Sequence, residues 1–262
     1  MADAYTPTDG LKNVTSFPTD PADETAARKQ VQDVLDQMLA FHNTHLADLT
    51  AHATTANITY YIRTDGSDSN TGLINSAAGA FLTIQHAIDV LPQTINHTVI
   101  INVAAGTYAE TVTISGFIGK GTIGLYGPDL LNDTYMVNNI IIKYCGISET
   151  LRGLKCLSTS AANIDVSYSK FVTMSKMKCV EADASHAAIG ISTNSAAYIN
   201  GCELSNRLYG IVGLTTARVS SNTNAGTGNT YGLYASAATI MKSGAQPAGT
   251  TAEGLTMGGV IR

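Results

Sequence analysis

The sequence predicts a mainly β chain: a right-handed parallel β-helix (solenoid) with an N-terminal cap helix, preceded by an N-terminal α-helical trimerising segment. Three observations carry this. Short strand-like runs recur every ~20 to 23 residues in the second half of the chain. Only 13% of residues are charged, Trp is absent and Gly numbers 24, which suits small side chains at solenoid corners. An apolar heptad is confined to the first part of the chain. Two domains follow, residues 1–58 and 59–262, the second divided into a cap (59–98), coils (99–245) and a C-terminal tail (246–262).

Pro7, Gly10, Pro18 and Pro21 predict an extended, irregular start. The following run to Leu49 is free of Gly and Pro and rich in helix formers. Val31, Leu35, Met38, His42, His45 and Leu49 form a heptad seam. Val34, Leu39, Phe41 and Leu46 widen it, so a bundle of three chains buries it better than a two-stranded coil; packing on its own domain is the alternative. His42 and His45 lie one turn apart. On a three-fold axis they would ring a metal or anion, but a polar layer fixing register, or simple exposure, is the preferred reading, so no metal is assigned. Thr50–Asn57 reads as a non-helical joint.

The cap begins with a strand (Thr59–Arg63) and a turn-rich loop (Asp65–Gly72). A helix over Leu82–Leu91 places Leu82, Ile84, Ala87, Ile88 and Leu91 mostly on one face and stops at Pro92. An apolar strand, Val99–Val103, follows. Asp65, Asp68 and Asn70 lack the twelfth-position Glu of a calcium loop and read as Asx turns. His97 reads as a surface residue, and Glu110 alone is no catalytic signal.

The ordered run DGSDSNTG, FLTIQHAID and TVIINVAAGTYAETVTI, within Thr59–Ile114, resembles the opening of pectate-lyase-like right-handed parallel β-helices. It is most similar to versions on bacteriophage tail, baseplate and appendage proteins. The segment TSFPTDPADETAARKQ, from Thr15, resembles the start of phage tail-associated proteins. Together the resemblances imply a virion structural protein of the tail fibre, spike, baseplate or appendage kind, made in the host cytoplasm. With the three-chain bundle read from the heptad, they imply a homotrimer that contacts other virion proteins through residues 1–58 and serves host-surface adsorption or particle assembly. The alternative they imply is a tailspike depolymerase.

In the coils, Gly190-Ile191, Gly210-Ile211 and Gly232-Leu233 recur, as do the pairs Ala197/Ile199, Ala217/Val219 and Ala238/Ile240. Their alternation predicts one inward and one outward face. Cys156, Cys179 and Cys202 are evenly spaced, and the spacing predicts an inward ladder of reduced thiols, ~4.8 Å per step, with Lys155 and Lys178 stacked outside. None of the cysteines, Cys145 included, forms a C-x-x-C pair.

A net charge of −5 argues against general nucleic-acid binding. No apolar run of ~18 residues is present, and MADAYTPTDG does not read as a signal peptide. No cofactor is implied. The basic stretch from Lys143 to Lys178, with Lys155, Lys170 and Lys178, is a candidate surface for acidic host glycans, or else a solvated face. Tyr198, Tyr209 and Tyr231, with Tyr234, are candidate sugar platforms or subunit contacts. Hydrolysis needs two carboxylates ~5 to 9.5 Å apart. The repeats offer Glu149, Asp165, Glu181, Asp183 and Glu203, with no convincing pair, so no catalytic residue is assigned.

Overall fold

Two compact units divide the chain, Met1–His52 and Ala53–Arg262. The structure, a computed structural model, describes residues 21–262, without the side chains of residues 21–28, 30 and 45–51. The expected extended start with its attachment role, and the side chains of His45, Leu46 and Leu49, lie outside the described residues.

Helix α1 spans Pro21–His52. Proline suits its first turn, where an N–H would find no intrahelical acceptor. With no Gly or Pro between Pro21 and Ala53, the helix continues through Thr50–His52, which the sequence reading gave to a non-helical joint. Val31, Leu35 and Met38 are 48, 53 and 64% exposed. The pairs Lys29–Asp33 (3.2 Å) and Gln32–Asp36 (2.8 Å) occupy the opposite side of a helix with ~3.6 residues per turn. Helix α1 is therefore amphipathic over its described middle, with its apolar stripe uncovered in a single chain.

The second unit is a parallel β-solenoid of about seven turns. Its first sheet stacks nine strands: Ile58–Ile62, Thr98–Val103, Thr122–Tyr126, Ser148–Arg152, Phe171–Ser175, Ala196–Asn200, Arg218–Asn222, Thr239–Ser243 and Val260–Ile261. The second sheet branches at the long strand Tyr135–Lys143. Its long arm carries Ile164–Ser167, Asp183–Ser192, Arg207–Leu214, Asn229–Ser236 and Gly249–Thr256; its short arm carries Lys155–Cys156, Lys178–Cys179 and Glu203–Leu204. Each middle coil visits the first sheet, the short arm and then the long arm. The last rungs run into the stretch expected as a tail.

Single residues turn most corners, and consecutive pairs, Thr193-Asn194 and Thr215-Thr216, turn two others. Tyr144, Tyr168, Thr215 and Ala237 have positive φ where the long arm passes to the first sheet, and Gly153, Lys176, Gly201 and Thr223 where the first sheet passes to the short arm. A non-glycine residue there costs ~1–2 kcal/mol, offset by the ladder bonds that each coil gains. The Tyr144 and Tyr168 N–H groups, for example, donate to Ser167 and Thr193 carbonyls of the next coil.

Inside, aliphatic columns run through successive coils. One long-arm column is Val112, Ile140, Ile164, Ile189, Ile211 and Leu233, all essentially inaccessible. This register corrects two expectations by two residues. Gly210 and Gly232 occupy the same rung position, but Gly190 pairs with Val212, and Ala197 pairs with Val219 rather than Ala217. Alternation has a period of two, so a two-residue slip keeps every side chain on its face and leaves the pattern unchanged.

Cys156 stacks on Cys179, and Lys155 on Lys178, as expected. The next rung is Glu203 and Leu204, so Cys202 is not on that ladder. It lies one inward position earlier, where the Glu203 N–H donates to Met177 O and its own N–H donates to the Asn224 side chain (2.9 Å). This coil is longer than its predecessor by two residues, so the even cysteine spacing misled. All four cysteines are free and buried.

Helix α2 spans Ile84–Asp89, shorter than the expected Leu82–Leu91. Thr83 adopts an extended conformation and its hydroxyl accepts from the His86 N–H, so the helix starts after it. Leu82 is consequently outside the helix and exposed, while Ile84, Ala87, Ile88 and Leu91 are buried. The helix covers the N-terminal end of the core. Gln85 also closes the free edge of the strand Gly106–Ser115: its amide oxygen accepts from Thr113 N–H (2.7 Å) and its amide nitrogen donates to Thr113 O (3.2 Å).

Candidate functional site

The cap absorbs most of the polar residues that invited a chemical reading. Asp65 pairs with Arg63 (2.8 Å). Asp68 accepts from the N–H groups of Leu82 and Thr83 (both 2.9 Å) and from the Thr83 hydroxyl (2.8 Å). Burial pushes its pKa up, but these bonds outweigh it and leave it lowered. Glu110 accepts from the Ile84 and Gln85 N–H groups (2.8 and 2.9 Å). Two carboxylates thus hold the start of α2. Asn70 donates to the Ala77 and Ala80 carbonyls. His97 is half-buried rather than a plain surface residue, with its ring 2.9 Å from Thr54 O.

The six residues expected to line a glycan surface spread over three faces. On the short arm, Lys155 and Lys178 form an ion-pair ladder with three carboxylates. Lys155 Nζ lies 2.9 Å from Glu181 and 3.1 Å from Asp133; Lys178 Nζ lies 2.8 Å from Asp133 and 3.6 Å from Glu203. Glu181 and Asp133 hold the Lys155 ammonium above its usual pKa, and Asp133 does so chiefly for Lys178. Both ammonium groups are therefore engaged. Lys170 is exposed and lies apart, beside the strand Phe171–Ser175.

Tyr198 is on the first sheet, where its hydroxyl accepts from Asn222 (3.2 Å). Tyr209 and Tyr231 come together on the long arm with ring centroids 5.5 Å apart, and Tyr234 joins them at 4.8 and 5.1 Å. Gly254 makes room for this cluster, since a Cβ there would sit 2.5 Å from the Tyr234 ring. A second aromatic pair was missed by sequence reasoning. Tyr144 and Tyr168 stack at 5.0 Å and 19°, each more than half exposed. Their coil-length spacing was the available signal.

The remaining candidate carboxylates lie apart from one another. Asp183 contacts His186 Nδ1 (2.7 Å) and the fully buried Arg207 (3.3 Å). Arg207 also donates to the carbonyls of Ser158, Ala161, Glu181 and Ala187, tying the connection between short and long arms to the core. Asp165 points outward; burial raises its pKa, with Lys143 opposing. Glu149, expected among the polar repeat residues, is inside the core.

Comparison with protein-family models, curated proteins and solved structures finds no match. The geometry defines the class, a parallel β-solenoid with an amphipathic helix ahead of it. Among the described residues no three His, Cys, Asp or Glu side chains converge on a metal position. No described helix is long and apolar enough to cross a membrane. The outer faces offer two aromatic clusters and one ion-pair ladder.

Proposed function

We propose that this chain is a structural component of a bacteriophage virion, a tail fibre, spike, baseplate-associated or appendage protein. It acts as a homotrimer in host-surface adsorption or particle assembly. The observation that carries this reading is the uncovered apolar stripe of α1, Val31, Leu35 and Met38, on a chain whose other unit has its own complete core. A stripe of that kind on a helix is stabilised by copies of itself. The resemblances over Thr15–Gln30 and Thr59–Ile114 support the virion setting. Residues 1–58 would contact other virion proteins, and the tyrosine clusters on the solenoid would meet host glycan or a neighbouring subunit.

Sedimentation equilibrium of the full chain tests the oligomer. A trimer is expected, and Leu35→Asp with Met38→Asp yields a monomer whose strand signal in circular dichroism is retained. A monomeric wild type at micromolar concentration sinks the reading. Immunogold labelling of particles tests the setting, and reducing-end release from host polysaccharide distinguishes adhesion from depolymerisation.

A further inference from the structure

One first-sheet column breaks the apolar rule in its middle. It runs Val99, Ile123, Glu149, Val172, Ala197, Val219 and Ile240. Glu149 is 1% exposed, and neither of its carboxyl oxygens has a hydrogen-bond partner among the described residues. Its rung neighbours are Ile123 and Val172, and the inward side chains of the long arm at this level, Ile114, Ile142 and Val166, belong to the same apolar core. The cations nearest in sequence face outward: Arg152 lies over the Tyr126 ring (4.6 Å), and Lys143 acts on Asp165. The one titratable side chain acting on Glu149 is the buried Cys145 thiol, a weak donor that favours the carboxylate less than burial disfavours it and that is also directed at the carbonyls of Ile114 (3.6 Å) and Lys143 (3.4 Å).

A carboxylate without partners in such surroundings is far more costly than a carboxylic acid. We propose that Glu149 is a proton lock: the coil closes around its neutral carboxyl, and ionisation loosens the rungs on either side. Burial accordingly pushes Glu149 up to about 8. The Cys145 thiol, pushed up to about 12 by burial first and then by Glu149, stays neutral over the same range. Because the folded value lies above the unfolded one, stabilisation is complete below pH ~4.5 and is lost as pH rises to ~8. The unfolding constant then rises by up to about tenfold per pH unit across that window and levels off above it. Mildly acidic medium thus tightens the strands Thr122–Tyr126, Ser148–Arg152 and Phe171–Ser175, and alkaline medium makes them the first to open.

The test is denaturant unfolding of the full chain between pH 4.5 and 9, beside Glu149→Gln and Glu149→Val. The wild-type unfolding constant should rise at least about hundredfold more than that of either variant between pH 5 and 8. Glu149→Val, which continues the column, should be the more stable chain at pH 8. Hydrogen exchange should accelerate with pH first in residues 122–126, 148–152 and 171–175. Should the Gln variant fail to fold, the Val comparison decides alone. A wild-type pH profile parallel to that of Glu149→Val, or a Val variant weaker than wild type at pH 8, overturns the proposal.

Discussion

The two ends of the solenoid are closed by different chemistry. At the N-terminal end the core stays apolar to the last rung, and α2 covers it with Ile84, Ala87 and Ile88. Asp68 and Glu110 hold the start of that helix, and Gln85 occupies the free strand edge. At the C-terminal end two of the columns turn polar, while Val219, Ile240 and Ile261 continue a third as apolar. The column Leu151, Met174, Ile199 reaches Ser221 and ends on Lys242; the column Ile189, Ile211, Leu233 ends on Glu253. Lys242 and Glu253 pair with each other. An apolar end needs a lid, whereas an end finished with inward-pointing charges resists strand addition on its own. The same fold thus solves one edge problem by covering and the other by charge.

The difference can be broken most sharply with one carboxylate at each end. Ile84→Asp places an unpaired charge under the lid and should cost more than ~4 kcal/mol in urea unfolding. Leu255→Asp, at an inward position 54% exposed, should cost less than ~1 kcal/mol. Equal losses would erase the distinction. Smaller effects sharpen it. Asp68→Ala and Glu110→Ala each remove acceptors from the start of α2 and should cost ~1–2 kcal/mol.

Acid gives the same contrast without mutation. The Asp68 pKa is lowered in the fold, so its contribution is present above pH ~4 and is lost as pH falls below that value. Exchange of the Leu82 and Thr83 amides should quicken there, in wild type but not in Asp68→Ala, where it is already fast. Lys242→Leu combined with Glu253→Leu should change stability by no more than ~1 kcal/mol, since the pair is partly exposed. That variant should nevertheless self-associate in sedimentation velocity. If it stays as dispersed as the wild type, charge is not what protects this end.

The fold was legible because alternation marks inward and outward faces and the coil length repeats. Those signals do not fix register to better than two residues, which is why Gly190 and Cys202 were placed on the wrong rung. The lid helix was legible from its apolar face, but Thr83 as its cap, and Gln85 as a substitute strand partner, depend on contacts with residues far along the chain. Among the candidate surface residues, the stacking of Lys155 on Lys178 followed from spacing. Their shared partner Asp133 sits on a preceding loop that no periodicity reaches. Glu149 had a readable sign after all: it is two residues from Leu151, and in a strand that places both on one face. The convention that Glu faces water hid it.

The single-residue corners have a consequence for handling the molecule. A protease must draw several residues of chain into its cleft, and cleavage concentrates where the backbone has slack. At Tyr144, Tyr168, Lys176 and Gly201 a strand resumes within about three residues on either side, so little chain is available to bind. Past the lid helix, the longer connections at 127–134 and 157–163 offer more, yet Asp133 is tied to two lysines and Arg207 grips the carbonyls of Ser158 and Ala161. Limited digestion should therefore leave the solenoid as one long resistant fragment, with the first nicks falling in those two connections.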